Sequence, residues 1–157
     1  MSDWSRGYVT EVEYTSGFYD AQAPNHLDLV AMLNGIEPPE RQGGAAYCEL
    51  GCGTGMTALS LAAANPDIQF WAVDFNPAHI ARARAAQAAF GIDNATFLEL
   101  DFAALIGPGA PHLPPFDYVT LHGVHSWVGA PQRAALVRFL ATGVKPGGLV
   151  YVSYNAL

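Results

Sequence analysis

Ala45-Ala46-Tyr47-Cys48-Glu49-Leu50-Gly51-Cys52-Gly53-Thr54-Gly55-Met56 is an apolar run that ends in a carboxylate and three alternating glycines. A short apolar run bounded by glycine predicts a buried strand, and the helical spacing from Thr54 to Ala64 predicts a helix that starts where the glycines stop. The turn between them is a platform for a ligand. Glycine there permits positive φ and lets a bound group approach the peptide plane without meeting a Cβ. The unpaired N–H groups of the first helical turn point at whatever lies above the strand end.

The neighbouring residues choose among the ligands that use such turns. A nucleoside triphosphate needs Gly-Lys-Ser/Thr at the helix start, and Gly55-Met56-Thr57 stands there instead, which removes the phosphate-gripping lysine. Gly53-Thr54-Gly55-Met56-Thr57-Ala58 satisfies the loosest dinucleotide fingerprint with its final alanine, so a nicotinamide dinucleotide stays open. Charge is the tiebreak. Glu49 at the mouth of the site repels a pyrophosphate and attracts a ligand carrying an amine and a sulfonium. S-adenosylmethionine is such a ligand.

Downstream, Ile68 to Val73 reads as a second buried strand after the breaker Asn65-Pro66, and Asp74 closes it. Asp74 stands 23 positions after Gly51, and an acidic residue about 20 positions beyond the glycines is where a ribose is gripped. The alternative is a helix-capping aspartate. Phe75 is placed along the adenine face, and Asn76-Pro77 opens a helix that carries Ile80, Ala83, Ala86 or Gln87 and Phe90 towards the sheet and stops at Gly91. Ala95 to Leu100 and Phe116 to Leu121 are the third and fourth strands, separated by a proline- and glycine-rich loop. A helix from Pro131 and the turn Lys145-Pro146-Gly147-Gly148 lead to a fifth strand, Leu149 to Tyr154. The expected fold is a Rossmann-like, doubly wound α/β domain with a parallel sheet in the order 3-2-1-4-5.

Glu49-Leu50-Gly51-Cys52-Gly53-Thr54-Gly55 resembles the first motif of class I S-adenosylmethionine-dependent methyltransferases. Tyr8 to Tyr19, Asp74-Phe75-Asn76-Pro77, Leu121 to Trp127 and Ser153-Tyr154-Asn155-Ala156-Leu157 are similar, more narrowly, to bacterial methyltransferases with an appended methyltransferase regulatory domain, near the rickettsial protein-lysine methyltransferases. The resemblance spans nearly the whole chain. It implies that Gly51, Cys52, Gly53 and Gly55 lie under the cofactor, that Asp101 reads the adenine amino group and that Phe102 lies beside the ring. For Asp101 and Phe102 the alternative is a loop aspartate and a core phenylalanine. The aromatic stretch Tyr8 to Tyr19, with Tyr14 as its cofactor-binding candidate, is either a lid over the methionine end or an arm packed on the sheet. His122 lines the cofactor, and His125 is the candidate catalytic residue, a base taking a proton from the acceptor. Transfer to a neutral amine needs only alignment.

The chain reads as one domain: an arm over 1–22, a helix and loop over 23–44 with apolar positions Leu27, Val30, Ala31 and Leu33, and the core over 45–157. A complete class I methyltransferase has two further strands. Their lack predicts an exposed edge at Leu149 to Tyr154, covered by another copy or by a missing C-terminal domain. The net charge of −7, with Lys145 and six arginines as the cations, argues against nucleic acid as a partner. It favours a neutral or cationic methyl acceptor, such as a lysine side chain, whose identity the residues do not specify. No run is long enough to span a bilayer, and no basic-then-apolar leader is present, so a cytoplasmic protein away from membranes is expected. Cys48 and Cys52 lack the partners of a zinc site, and no metal is expected. A cofactor-binding module without turnover is the second function that these features allow.

Overall fold

The computed structural model describes residues 17–155, so Tyr8, Tyr14, Ala156 and Leu157 lie outside the described residues. Nine elements follow in chain order: α1 (Pro24–Leu33), β1 (Ala45–Leu50), α2 (Met56–Ala64), β2 (Ile68–Asp74), α3 (Pro77–Phe90), β3 (Ala95–Glu99), β4 (Phe116–Leu121), α4 (Ala130–Gly143) and β5 (Val144–Val152). Short 3-10 turns at Asp20–Gln22, Phe102–Leu105 and His125–Trp127 link them.

The strands form one parallel sheet in the order β3-β2-β1-β4-β5, as the patterning predicts. β1 and β4 are buried along their whole length, which is why neither shows the apolar-polar alternation of a half-exposed strand. Alternate residues of β1 feed two cores. Ala45 and Tyr47 pack with Ala58, Leu59, Phe70 and Ile80 beneath α2 and α3. Ala46, Cys48 and Leu50 pack with Phe116, Leu136 and Phe139 beneath α4. Each large side chain so buried contributes about 1.5–3 kcal/mol relative to exposure. The direction of winding reverses between β1 and β4, and that reversal opens a crevice at the carboxyl ends of the strands.

Local chemistry sets the ends of α3. The Asn76 side chain accepts from Ala78 N at 2.9 Å, Pro77 occupies the first turn, and Gly91 terminates the helix at φ 63°. Phe90, expected to face the sheet, is instead exposed. Beyond Gly91 the chain folds back, and Ile92 packs against the core in its place. Gln87 secures that return by donating to Ile92 O at 3.0 Å and Ala95 O at 2.6 Å. In α1 the buried line is Pro24, Leu27 and Ala31. Val30 and Leu33 face outward, because the helix meets the sheet along a narrow stripe. Arg84 on α3 reaches back to donate to Phe97 O at 2.7 Å.

The Lys145–Gly148 turn lies inside β5 rather than before it. Phe116 pairs with Val144 and Tyr118 with Leu149, so the residues between them loop out opposite Asp117. Lys145 Nζ uses the excursion to meet both carboxylate oxygens of Asp117, at 2.9 and 2.8 Å. Asp117 Oδ2 also accepts from Ala46 N at 2.7 Å, which ties the start of the central strand to its neighbour. No helix among the described residues is long and apolar enough to cross a membrane.

Candidate functional site

The crevice is floored by the turn between β1 and α2. Gly51, Gly53 and Gly55 all have positive φ, at 79°, 53° and 77°, but for different reasons. A Cβ on Gly51 would lie 2.3 Å from Val124 Cγ2, and one on Gly55 would lie 2.6 Å from the Phe97 ring and 2.8 Å from Ala83 Cβ. Those two glycines are demanded by protein packing against β3, α3 and the loop after β4. Gly53 has nothing within 4 Å of its missing Cβ. Its open face is where another molecule can approach the backbone. The same conformations delay α2 to Met56, two residues later than the spacing suggests, because a left-handed Gly55 serves as the N-cap.

Asp74, at the tip of β2, organises this turn. Its Oδ2 accepts from Gly53 N at 2.9 Å, its Oδ1 accepts from Asn76 N at 2.9 Å, and His79 Nδ1 stands 3.4 Å from Oδ1. Each carboxylate oxygen offers two acceptor sites, so both retain capacity after bonding one backbone N–H. Phe75 follows, partly buried against the same apolar cluster that contains Leu50, Val73 and Phe102. Phe102 is enclosed in that cluster, while Asp101 caps the 3-10 turn after β3 by accepting from Ala104 N at 2.9 Å. The sequence pattern brings Phe75 and Phe102 into one cluster beyond β2 and β3.

Glu49 is expected at the mouth of the crevice; the fold buries it to 4% exposure in the middle of the sheet, between Ala72 of β2 and Thr120 of β4. Gln22 Nε2 donates to its Oε1 at 3.4 Å. Burial pushes its carboxyl up to about 8 and the negative charge of Asp74 adds to the rise, against the opposing hydrogen bonds from Gln22 and the Ala58 backbone. Oε2 of Glu49 has no partner among the described residues. In the folded chain Glu49 holds its proton across pH values where an ordinary carboxyl, near 4.5, has lost it. The unfolded chain therefore binds fewer protons in that window. The contribution of Glu49 to stability is full below about 4.5 and declines as pH rises towards about 8. Thermal melts of the ligand-free protein are expected to show this decline, and Glu49→Gln is expected to flatten it.

The segment before α1 crosses over the strand ends. Tyr19 N donates to Thr57 Oγ1 at 3.3 Å, and the Thr57 hydroxyl donates to Gly17 O at 3.3 Å. The Tyr19 ring stacks on His122 with centroids 3.9 Å apart. His122 Nδ1 lies 3.1 Å from Tyr151 Oη, and burial pulls its pKa down, favouring the neutral imidazole. Deeper in, the Tyr47 hydroxyl meets Gln22 O at 3.0 Å and Thr120 Oγ1 at 2.8 Å. Tyr14 lies outside the described residues.

His125 is placed differently from His122. It is exposed on the turn His125–Trp127, and its ring meets Tyr154 edge-on at 6.3 Å. That loop is pinned to the end of β5, with Gly123 N donating to Ser153 Oγ and Asn155 N to Ser126 Oγ, each at 2.8 Å. Cys48 and Cys52 are buried free thiols, and burial pushes both pKa values up. The Cys52 Sγ faces Gly53 O at 3.6 Å. Gln22, Thr57 and Tyr151 join the site without having been marked by the sequence. Their partners lie 27, 40 and 29 residues away along the chain, beyond the reach of any local pattern.

A family profile described as a methyltransferase domain matches residues 48–150. The uncharacterized Synechocystis sp. protein sll1526 is 42% identical over 154 residues, which cover 98% of this chain and 30% of the relative. The uncharacterized Rickettsia prowazekii protein RP789 is 31% identical over 147 residues, 94% of this chain and 26% of its own length. Among solved structures, PKMT2 from Rickettsia typhi in complex with AdoHcy superposes with a TM-score of 0.83 at 28% identity, covering 92% of this chain and 27% of that one. The chain thus spans less than a third of the length of these three relatives. With the profile covering the glycine turn, the Asp74 tip and all of the five strands but the start of β1 and the last residues of β5, the chain belongs to the methyltransferase-domain family.

Proposed function

We propose that this chain binds S-adenosylmethionine over the β1–α2 turn and takes part in moving its methyl group to a nitrogen acceptor, a protein lysine being the class that fits best. The observation that carries the reading is the open backbone of Gly53 between two buried carboxylates, Glu49 and Asp74. A pyrophosphate would meet the Asp74 carboxylate and find no counter-charge there, whereas an ammonium favours ionisation of the buried Glu49 and a pair of sugar hydroxyls meets acceptors at Asp74. The AdoHcy in the Rickettsia typhi structure supports the same choice.

When bound, the cofactor supplies an activated methyl group on a sulfonium. The chain's own residues do the rest. Asp74, held by Gly53 N and Asn76 N, has one acceptor site left on each oxygen for the ribose hydroxyls. Glu49 Oε2 offers an acceptor to the amine, and Phe75 borders the adenine side. Tyr19, stacked on His122, covers the crevice and excludes water, so that placing the acceptor in line supplies most of the rate. An amine must shed its proton before it can react. Between the two histidines, His122 is favoured for accepting that proton, because its ring is oriented by Tyr151 and stacked under Tyr19. His125, the residue singled out from the sequence, faces Tyr154 instead.

Calorimetry with S-adenosylhomocysteine and with NAD decides the cofactor, and binding of NAD alone would overturn the reading. Incubation with cofactor labelled on the methyl group, offered lysine-rich proteins and small amines separately, decides the acceptor. Label on protein lysine is the expected result. Tight binding without transfer to either acceptor class would favour a cofactor-binding module, a reading that the exposed position of His125 keeps in view.

A further inference from the structure

We propose that Gln22 is a second ligand for the cofactor's ammonium group, so that the 3-10 turn before α1 helps to select for the amino-acid end of the cofactor; the inference rests on the S-adenosylmethionine reading above. Gln22 is fully buried, and its Oε1 has no hydrogen-bond partner among the described residues. The same holds for Oε2 of Glu49, the side chain to which Gln22 Nε2 donates at 3.4 Å. The Gln22 oxygen, and the Glu49 oxygen once that carboxyl is ionised, are buried acceptors lacking a donor, which costs free energy unless a bound group supplies one.

The chemistry of the missing group follows from the inventory. It must donate at least two hydrogen bonds, and its charge must suit a carboxylate. An ammonium offers three donors and no acceptor, and a positive charge next to Glu49 favours the ionised carboxylate. A neutral hydroxyl satisfies only one of the two oxygens as a donor. Placement agrees with this. Glu49 lies two residues before Gly51, on the strand that leads into the open turn. Gln22 is fixed by its own backbone, whose carbonyl accepts from the Tyr47 hydroxyl at 3.0 Å. Tyr19, three residues earlier, stacks on His122. The turn Asp20–Gln22 therefore couples the cover of the crevice to the acceptor pair: ordering one helps to order the other.

The test compares S-adenosylhomocysteine with its analogue in which the amino group is replaced by hydrogen, by calorimetry on the full chain and on Gln22→Met. The wild type is expected to prefer the amine by tenfold or more, and Gln22→Met to lose roughly tenfold of that preference while binding the analogue within twofold of wild type. A structural role, or a bridging water in place of the ammonium, would weaken both ligands equally and overturn the proposal. So would a wild type indifferent to the amine. A wild type that binds neither ligand defeats the cofactor reading itself, a result distinct from both. Should Gln22→Met fail to fold, Gln22→Glu retains an acceptor oxygen in the same place. It is expected to keep the preference for the amine, and its loss would overturn the proposal.

Discussion

Asp74→Asn is expected to weaken S-adenosylhomocysteine binding by about 100-fold, the loss of two charge-assisted bonds partly offset by the remaining amide oxygen. The substitution is nearly isosteric, but the environment is not symmetric towards it. In the native turn both carboxylate oxygens face backbone donors, Gly53 N and Asn76 N. Whichever way an asparagine amide is turned, its NH2 meets one of those N–H groups, and the turn must loosen on that side. The ribose would lose a charged acceptor in the same step. Stability is expected to fall by about 1–3 kcal/mol, the cost of one buried donor left unpaired. Calorimetry reads the affinity and urea unfolding reads the stability. An Asp74→Asn protein that binds within threefold of wild type would remove the ribose from this position.

Gly55→Ala and Gly53→Ala are expected to fail in opposite ways. At Gly55 the new methyl would sit 2.6 Å from the Phe97 ring and 2.8 Å from Ala83 Cβ, on a backbone at φ 77°. The left-handed conformation costs about 1–2 kcal/mol and overpacking about 1–3 more, so a loss of about 2–5 kcal/mol is expected in urea unfolding. At Gly53 the conformational term alone applies, because nothing lies within 4 Å. Gly53→Ala should lose about 1–2 kcal/mol, fold normally, and bind S-adenosylhomocysteine at least roughly tenfold more weakly, since its methyl occupies the space through which a ligand reaches the peptide plane. Equal stability losses at the two positions, with affinity unchanged at Gly53, would mean that the turn has only a packing role.

The two glycines show why some of this site was legible and some was not. Alternating glycine after a buried run announces a turn with positive φ, whatever surrounds it. Nothing local says that Gly51 and Gly55 answer to Val124, Phe97 and Ala83 while Gly53 answers to open space. Asp74 was legible because its distance from the glycines reflects one strand–helix–strand repeat, whose length is nearly constant. Phe90 and Leu33 were misread for a related reason. Helical periodicity states which residues share a face, but the line of contact with the sheet decides how many of them are covered.

The sequence by itself determined the order of five strands, the capped ends of α3, the glycine turn and the acidic tip of β2, because each follows from periodicity, chain stiffness or a backbone conformation that only certain residues adopt. Only the tertiary structure decided that Glu49 is buried beside Gln22 rather than poised at the entrance, that Tyr19 stacks on His122, and that His125 meets Tyr154 edge-on. Those outcomes depend on how the segment before α1 passes over the sheet and on the register of β4 with β5. Polar side chains far apart in sequence meet only after the apolar faces have packed, and their order along the chain carries no trace of that meeting.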